Sequence, residues 1–154
     1  MGKPLRRLRV FALAVLAATL AALPAIGKET LAGPVAAQVI RAVDGDTLEV
    51  NATIWLDLVL TTRVRIRGID APEVHGKCLR ERELATAATV KLGQVAAGEV
   101  RLSNIEYDKY GGRVIADVAD TAGNDVGAQL RKLGIVRPYD GGERQPWCGI
   151  ASAG

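Results

Sequence analysis

Apolar and polar residues alternate through much of the first half of this chain. Residues 35–43 read as a first strand, and Asp44-Gly-Asp46 follows as a strong turn signal. Leu48, Val50, Ala52 and Ile54 then alternate with Thr47, Glu49, Asn51 and Thr53, the pattern of a half-buried second strand. Residues 56–60 are apolar apart from Asp57 and hold a turn whose position the pattern does not give. Beyond it, Val64 and Ile66 form one face of a third strand, and Arg63, Arg65 and Arg67 form the other. Gly68 breaks the strand, and Asp70-Ala-Pro-Glu73 follows at once. Arg65 and Asp70 are an odd number of residues apart, so a straight strand sends them to opposite faces. A bulge or twist at Gly68 is expected to re-aim Asp70.

The period then changes. Residues 78–92 are rich in Ala, Leu, Glu and Arg, and Leu84, Ala88 and Leu92 recur as a stripe, predicting a helix that Gly93 and Gly98 end. Val100 and Leu102 begin a fourth strand; Val114, Ala116 and Val118 lie on one face of a fifth. Between these two lies Asp108-Lys-Tyr-Gly-Gly-Arg113, a glycine turn with a cation at its exit. Asn124 or Asp125 caps a second helix running to Leu133 and closed by Gly134. The expected fold is mainly β with helices, an α+β arrangement whose five strands close into a barrel to hide their edges.

Composition adds two constraints. The chain has 154 residues and a formal charge of +3, but Lys3, Arg6, Arg7 and Arg9 precede the first acid, Glu29. Without residues 1–27 the remainder is one unit negative, so a basic site has to be local. Residues 1–27 have the parts of an export signal: a basic start, an apolar run over residues 10–23, and Ala25-Ile-Gly27 as the small-x-small cleavage site. An uncleaved membrane anchor is the alternative, because the apolar run approaches the length of a spanning helix. Either way the folded part lies outside the cytoplasm, periplasmic or secreted. The chain divides into the signal 1–27, a linker 28–34, one domain over 35–148 and a tail 149–154.

Cys78 and Cys148 suit an oxidising compartment. No CxxC pair exists and His75 is the single histidine, which argues against a zinc site. A disulfide between them, worth about 4 kcal/mol on the chain-entropy estimate, is the simplest use; two free thiols are the alternative.

Asp46, Asp70 and Glu73 all sit at turns or strand ends and are the candidate acidic set. Oxygen ligands without histidine or cysteine favour Ca²⁺ or Mg²⁺ over zinc. Arg65 and Arg113 are the candidate cations, able to fork a phosphodiester and stabilise a five-coordinate transition state. Taken one at a time, Asp-Gly-Asp and Asp-Ala-Pro are ordinary turn chemistry. Arg63 and Arg67 are expected to be solvated, and His75 to have no role.

Val43-Asp-Gly-Asp-Thr47, Arg65-x4-Asp70-Ala-Pro-Glu73 and Lys109-Tyr-Gly-Gly-Arg113 resemble, in order and spacing, the motifs of the staphylococcal nuclease (thermonuclease) family, from about residue 35 to residue 139. The resemblance implies an OB-fold barrel and Ca²⁺-dependent hydrolysis of DNA and RNA, single strands preferred, by a monomer free of the membrane once its signal is cleaved. It makes Asp46, Asp70 and the Ala71 carbonyl the metal ligands, Glu73 the general base, and Arg65 and Arg113 the phosphate-binding arginines. Lys109, Tyr110 and Tyr139 fall where the family contacts and stacks the terminal nucleotide. Two features depart from the family pattern. Two glycines precede Arg113 where one is typical. The chain also ends soon after Trp147-Cys148 without a long final helix, leaving Trp147 and the disulfide to close the barrel. A non-catalytic OB-fold module that binds nucleic acid or another partner is the main rival, and a structural envelope protein a weaker one.

Overall fold

The computed structural model describes residues 29–149. The export signal falls outside them, and among the described residues no helix is long and apolar enough to cross a membrane. Eight strands and two helices follow in order: β1 (Thr30–Leu31), β2 (Val35–Ala42), β3 (Thr47–Trp55), β4 (Leu58–Ile66), β5 (Ile69–Asp70), α1 (Leu79–Val95), β6 (Glu99–Tyr107), β7 (Arg113–Asp120), α2 (Val126–Lys132) and β8 (Arg137–Pro138). Strands β6, β2, β3, β4 and β7 pair in that order, and β7 pairs back to β6, so the sheet closes into a five-stranded barrel. Within the segment expected to be a linker, Thr30 and Leu31 add a short strand beside β6.

The alternation along β3 is real: Leu48, Val50 and Ala52 are buried, as are Val64 and Ile66 on β4. The awkward turn is a tight connection at Leu56-Asp57, with Asp57 in the left-handed region at φ 58°. That conformation is one Asp tolerates better than most side chains.

Helix α1 differs from its expected outline. Its buried stripe is Glu81, Ala85, Ala88 and Leu92, and Leu84 stays 37% exposed. Leu84 is the larger side chain, but its neighbour Ala85 is the one that is buried. The helix also runs through Gly93 to Val95, and the left-handed glycine that ends this segment is Gly98 at φ 87°. Helix α2 starts as expected, with the Asp125 side chain accepting from the Ala128 amide.

Three features of register assemble the site. In the β3–β4 hairpin Thr47 pairs with Arg65, which sets Arg65 beside Asp46. Strand β7 joins β4 in parallel, with Arg113 opposite Arg63, so the glycine turn before Arg113 opens next to the arginine strand. Gly68 adopts φ 78° in a turn, not a bulge, and Ile69–Asp70 leave the barrel sheet to pair with Arg137–Pro138. Asp70 is re-aimed by this change of sheet.

Candidate active site

Asp44-Gly-Asp46 is held by its own side chain, the Asp46 amide donating to Asp44 Oδ1 at 3.0 Å. Gly45 lies against Ala71 and Ala88: a Cβ placed on it would meet both methyls at 2.7 Å. Absence of a side chain at Gly45 therefore brings the first acidic turn against the second acidic segment and the helix. The Arg65 guanidinium spans the same place. Its Nη1 donates to Asp46 Oδ2 at 2.6 Å and its Nη2 to the Ile69 carbonyl at 3.3 Å. Burial pushes the Asp46 carboxyl from 3.8 up to about 6, against the pull of Arg65 and with the Asp44 charge adding to the rise.

Asp46, Ala71, Glu73, Arg65, Tyr110 and Arg113 all line one cleft of about 300 Å³. Next to it is a larger cavity of about 580 Å³ bordered by Lys109, Tyr110 and Tyr139, with Arg65 and Arg113 again on its wall. Gly111 and Gly112 take up the extra residue with φ of 64° and 66°, and Arg113 still reaches the cleft. There it ion-pairs with the buried Asp108 and lies 5.4 Å from the Tyr110 ring centre. Tyr139 sits under Arg65 at 5.8 Å, its hydroxyl donating to the Gly142 carbonyl.

Asp70 is 3% exposed and lies beneath two residues of the C-terminal tail. Trp147 Nε1 donates to its Oδ2 at 3.1 Å, and Arg144 Nε lies 3.1 Å from its Oδ1 without hydrogen-bond geometry. Arg144 also ion-pairs with Glu73. Its own burial works against its charge, but the hydrogen bond to Glu73 and the charges of Asp70, Glu73 and Asp46 outweigh that and raise its pKa. Arg144 went unnoticed in the sequence, where it sits in a tail without periodicity. Trp147 does not close the barrel as expected; it covers Asp70 and stacks on Arg137, whose guanidinium is 3.6 Å from its ring centre.

Two expectations about neighbouring residues change. Arg67 is not merely solvated: it pairs with Glu106 at 2.6 Å and Asp117 at 3.2 Å, while Arg63 stays on the surface. Glu81, unremarked in the sequence, is buried in the first turn of α1 and accepts from the amides of Glu73 at 3.4 Å and Lys77 at 3.0 Å. Gly76 packs so tightly on it that a Cβ would meet the carboxyl carbon at 2.4 Å. The loop presenting Glu73 is thus wrapped around a buried carboxylate. His75 is exposed.

Cys78 and Cys148 form the disulfide, which ties the tail to the start of α1. Their sulfurs and a Glu81 oxygen lie within 4.8 Å of one another, but bonded sulfurs are not thiolate ligands. Among the described residues the acidic trio is not closed to that distance. Its chemistry still fits a hard divalent cation. The donors are oxygens alone, and Asp70 Oδ1 is buried with no hydrogen bond among the described residues. The guanidinium of Arg144 stands between Asp70 and Glu73.

No family model matches this chain, and no curated protein matches it.

Proposed function

We propose that this chain is an exported, Ca²⁺-dependent nuclease of the staphylococcal nuclease kind. The observation that carries the proposal is two buried carboxylates near two arginines: Asp46 shares a cleft with Arg65 and Arg113, and Asp70 Oδ1 is buried without a hydrogen bond among the described residues. Asp46, Asp70 and the Ala71 carbonyl would hold the ion, with Mg²⁺ a poorer fit to a flexible oxygen set. When bound, Ca²⁺ supplies a Lewis acid for the phosphoryl oxygen.

The chain's own residues do the rest. Arg65 and Arg113 present planar forks to the non-bridging oxygens, and their charge counts most when the phosphorus is five-coordinate. Glu73, more than half exposed at 56% of its side chain, takes a proton from the attacking water. The new bond is from that water's oxygen to phosphorus, and the bond broken is from phosphorus to the leaving sugar oxygen. For this step Arg144 has to release Glu73, because a carboxylate already bonded to a guanidinium is a weakened base. Lys109 lies over Tyr110 at 4.9 Å, and with Tyr139 they offer aromatic faces to an unpaired base, which favours single-stranded DNA or RNA.

One observation favours a second reading. Arg144 already neutralises the acids, as suits a barrel that binds nucleic acid without cutting it. Incubation of the chain from Lys28 with single-stranded DNA, in Ca²⁺ or in chelator, separates the two. A nuclease cleaves only with Ca²⁺, and Glu73→Gln lowers the rate by roughly 10²-fold or more while metal-dependent nucleotide binding survives. Binding without cleavage at any Ca²⁺ concentration overturns the nuclease reading.

A further inference from the structure

The tip of the β3–β4 hairpin has an unusual surface. Ile54, Trp55, Leu56, Leu58, Val59 and Leu60 are 44%, 73%, 84%, 54%, 53% and 50% exposed, and Asp57 is the one charge among them. A barrel strand buries alternate residues. Here both faces are exposed and both are apolar, so the hairpin outruns the barrel and has nothing to pack on among the described residues. From Ile54 and Leu60 the apolar surface continues into the open barrel end, a cavity of about 540 Å³ reached by Leu31, Val35, Leu102 and Ile105. A continuous apolar surface of this kind is rare on a monomer that has no partner.

We propose that the hairpin tip and the open barrel end dock on the headgroup–hydrocarbon boundary of a phospholipid bilayer. Two features favour lipid over another occupant. Trp55 stands at the extremity and Tyr107, 79% exposed, on the rim; tryptophan and tyrosine are the residues that settle at a membrane interface. The described chain also begins at this rim, since Glu29, Thr30 and Leu31 border the same cavity. The apolar run of residues 10–23 ends six residues before Glu29, and six residues span at most about 20 Å. A bilayer holding that run is within reach of the hairpin. Glu106, Tyr107 and Arg113 border both this cavity and the site cavity, so the cleft opens beside the membrane surface. The surface departs from the expectation that a cleaved protein leaves the membrane.

The chain from Lys28 contains every strand, helix and core residue described here, which makes it suitable for a test without the apolar N-terminal run. It is sedimented with phosphatidylcholine vesicles and with vesicles containing phosphatidylglycerol. Binding to both is expected, and Trp55→Ser combined with Leu56→Ser is expected to weaken it by roughly tenfold or more. Both positions are exposed, so melting should be unaffected. Binding that needs anionic lipid, vanishes in high salt and ignores the double substitution overturns the proposal. So does no binding at all, or a dimer in solution that the double substitution dissolves. The readout is independent of cleavage, so it stands or falls apart from the nuclease reading.

Discussion

Gly45→Ala is the sharpest test of how the site is assembled. The added methyl meets the Cβ atoms of Ala71 and Ala88 at 2.7 Å, against about 3.5–4.0 Å for a comfortable carbon contact. Neither neighbour can yield by rotating, because alanine has no side-chain torsion that moves its Cβ. The backbone must therefore open by close to 1 Å at one contact or share the movement between both. Overpacking of this kind costs about 1–3 kcal/mol, and at about 4 °C per kcal/mol melting falls by roughly 4–12 °C. Activity should fall further than stability predicts, because the same opening separates Asp46 from Ala71 and Glu73; a 1 Å misplacement can cost about 10²-fold. The assay is a urea titration with single-turnover cleavage of a labelled single strand at a temperature where the variant is folded. A double-mutant cycle with Ala88→Gly adds a control, since removing one of the two methyls should make Gly45→Ala less costly. Unchanged melting together with unchanged cleavage would refute the close packing of the two acidic segments on the helix.

Other perturbations read different parts of the site. Arg144→Gln removes the cation that stands between Asp70 and Glu73; Ca²⁺ affinity by calorimetry should tighten by up to about fivefold, the scale of one partly exposed charge pair. Equal or weaker affinity would mean that Arg144 does not compete with the ion. Asp46 gives a pH signature in chelator. Its folded pKa is raised from 3.8 to about 6, so the stability it contributes is full below 3.8 and is lost as pH rises through 6. The loss is on the order of 3 kcal/mol. Wild type should therefore lose stability relative to Asp46→Asn between pH 4 and pH 7, and Ca²⁺ should abolish the difference; a flat difference in chelator would contradict the buried charge. Cys148→Ser releases a closure over 70 residues, for which the urea midpoint should report a loss of about 2–5 kcal/mol, with reductant acting on wild type alone.

What was legible in the sequence was whatever a strand or turn declares locally. Leu48, Val50 and Ala52 alternate because one face of β3 is core and the other is not. The cap at Asp125 and the stop at Gly134 are likewise local chemistry. Pairing partners are not local. Nothing in Arg113 announces that its strand joins β4 in parallel, yet that pairing carries it to the cleft. The change of direction at Gly68 was expected as a bulge or twist because the odd spacing of Arg65 and Asp70 demanded some correction. The correction used is a change of sheet, made possible by a partner strand nearly seventy residues further on. Leu84 was misjudged because periodicity marks which way a helix faces only to within one residue, and of Leu84 and Ala85 it is Ala85 that is buried.

Arg144 shows why a candidate metal site is hard to read from its acids alone. Charges brought together without an ion must be neutralised by something, or protonated, or kept apart. All three are found: Asp70 and Glu73 share a guanidinium, burial with the neighbouring Asp44 charge pushes the Asp46 carboxyl towards protonation, and among the described residues the trio is not gathered within 4.8 Å. The guanidinium comes from a tail whose sequence carries no signal and whose position depends on a disulfide to α1. Its pairing with Glu73 crosses 71 residues. On the proposed nuclease reading, the contact that pairs Glu73 in the metal-free protein also blocks the base. Loading the site and freeing Glu73 become a single event, and substituting Arg144 should uncouple them.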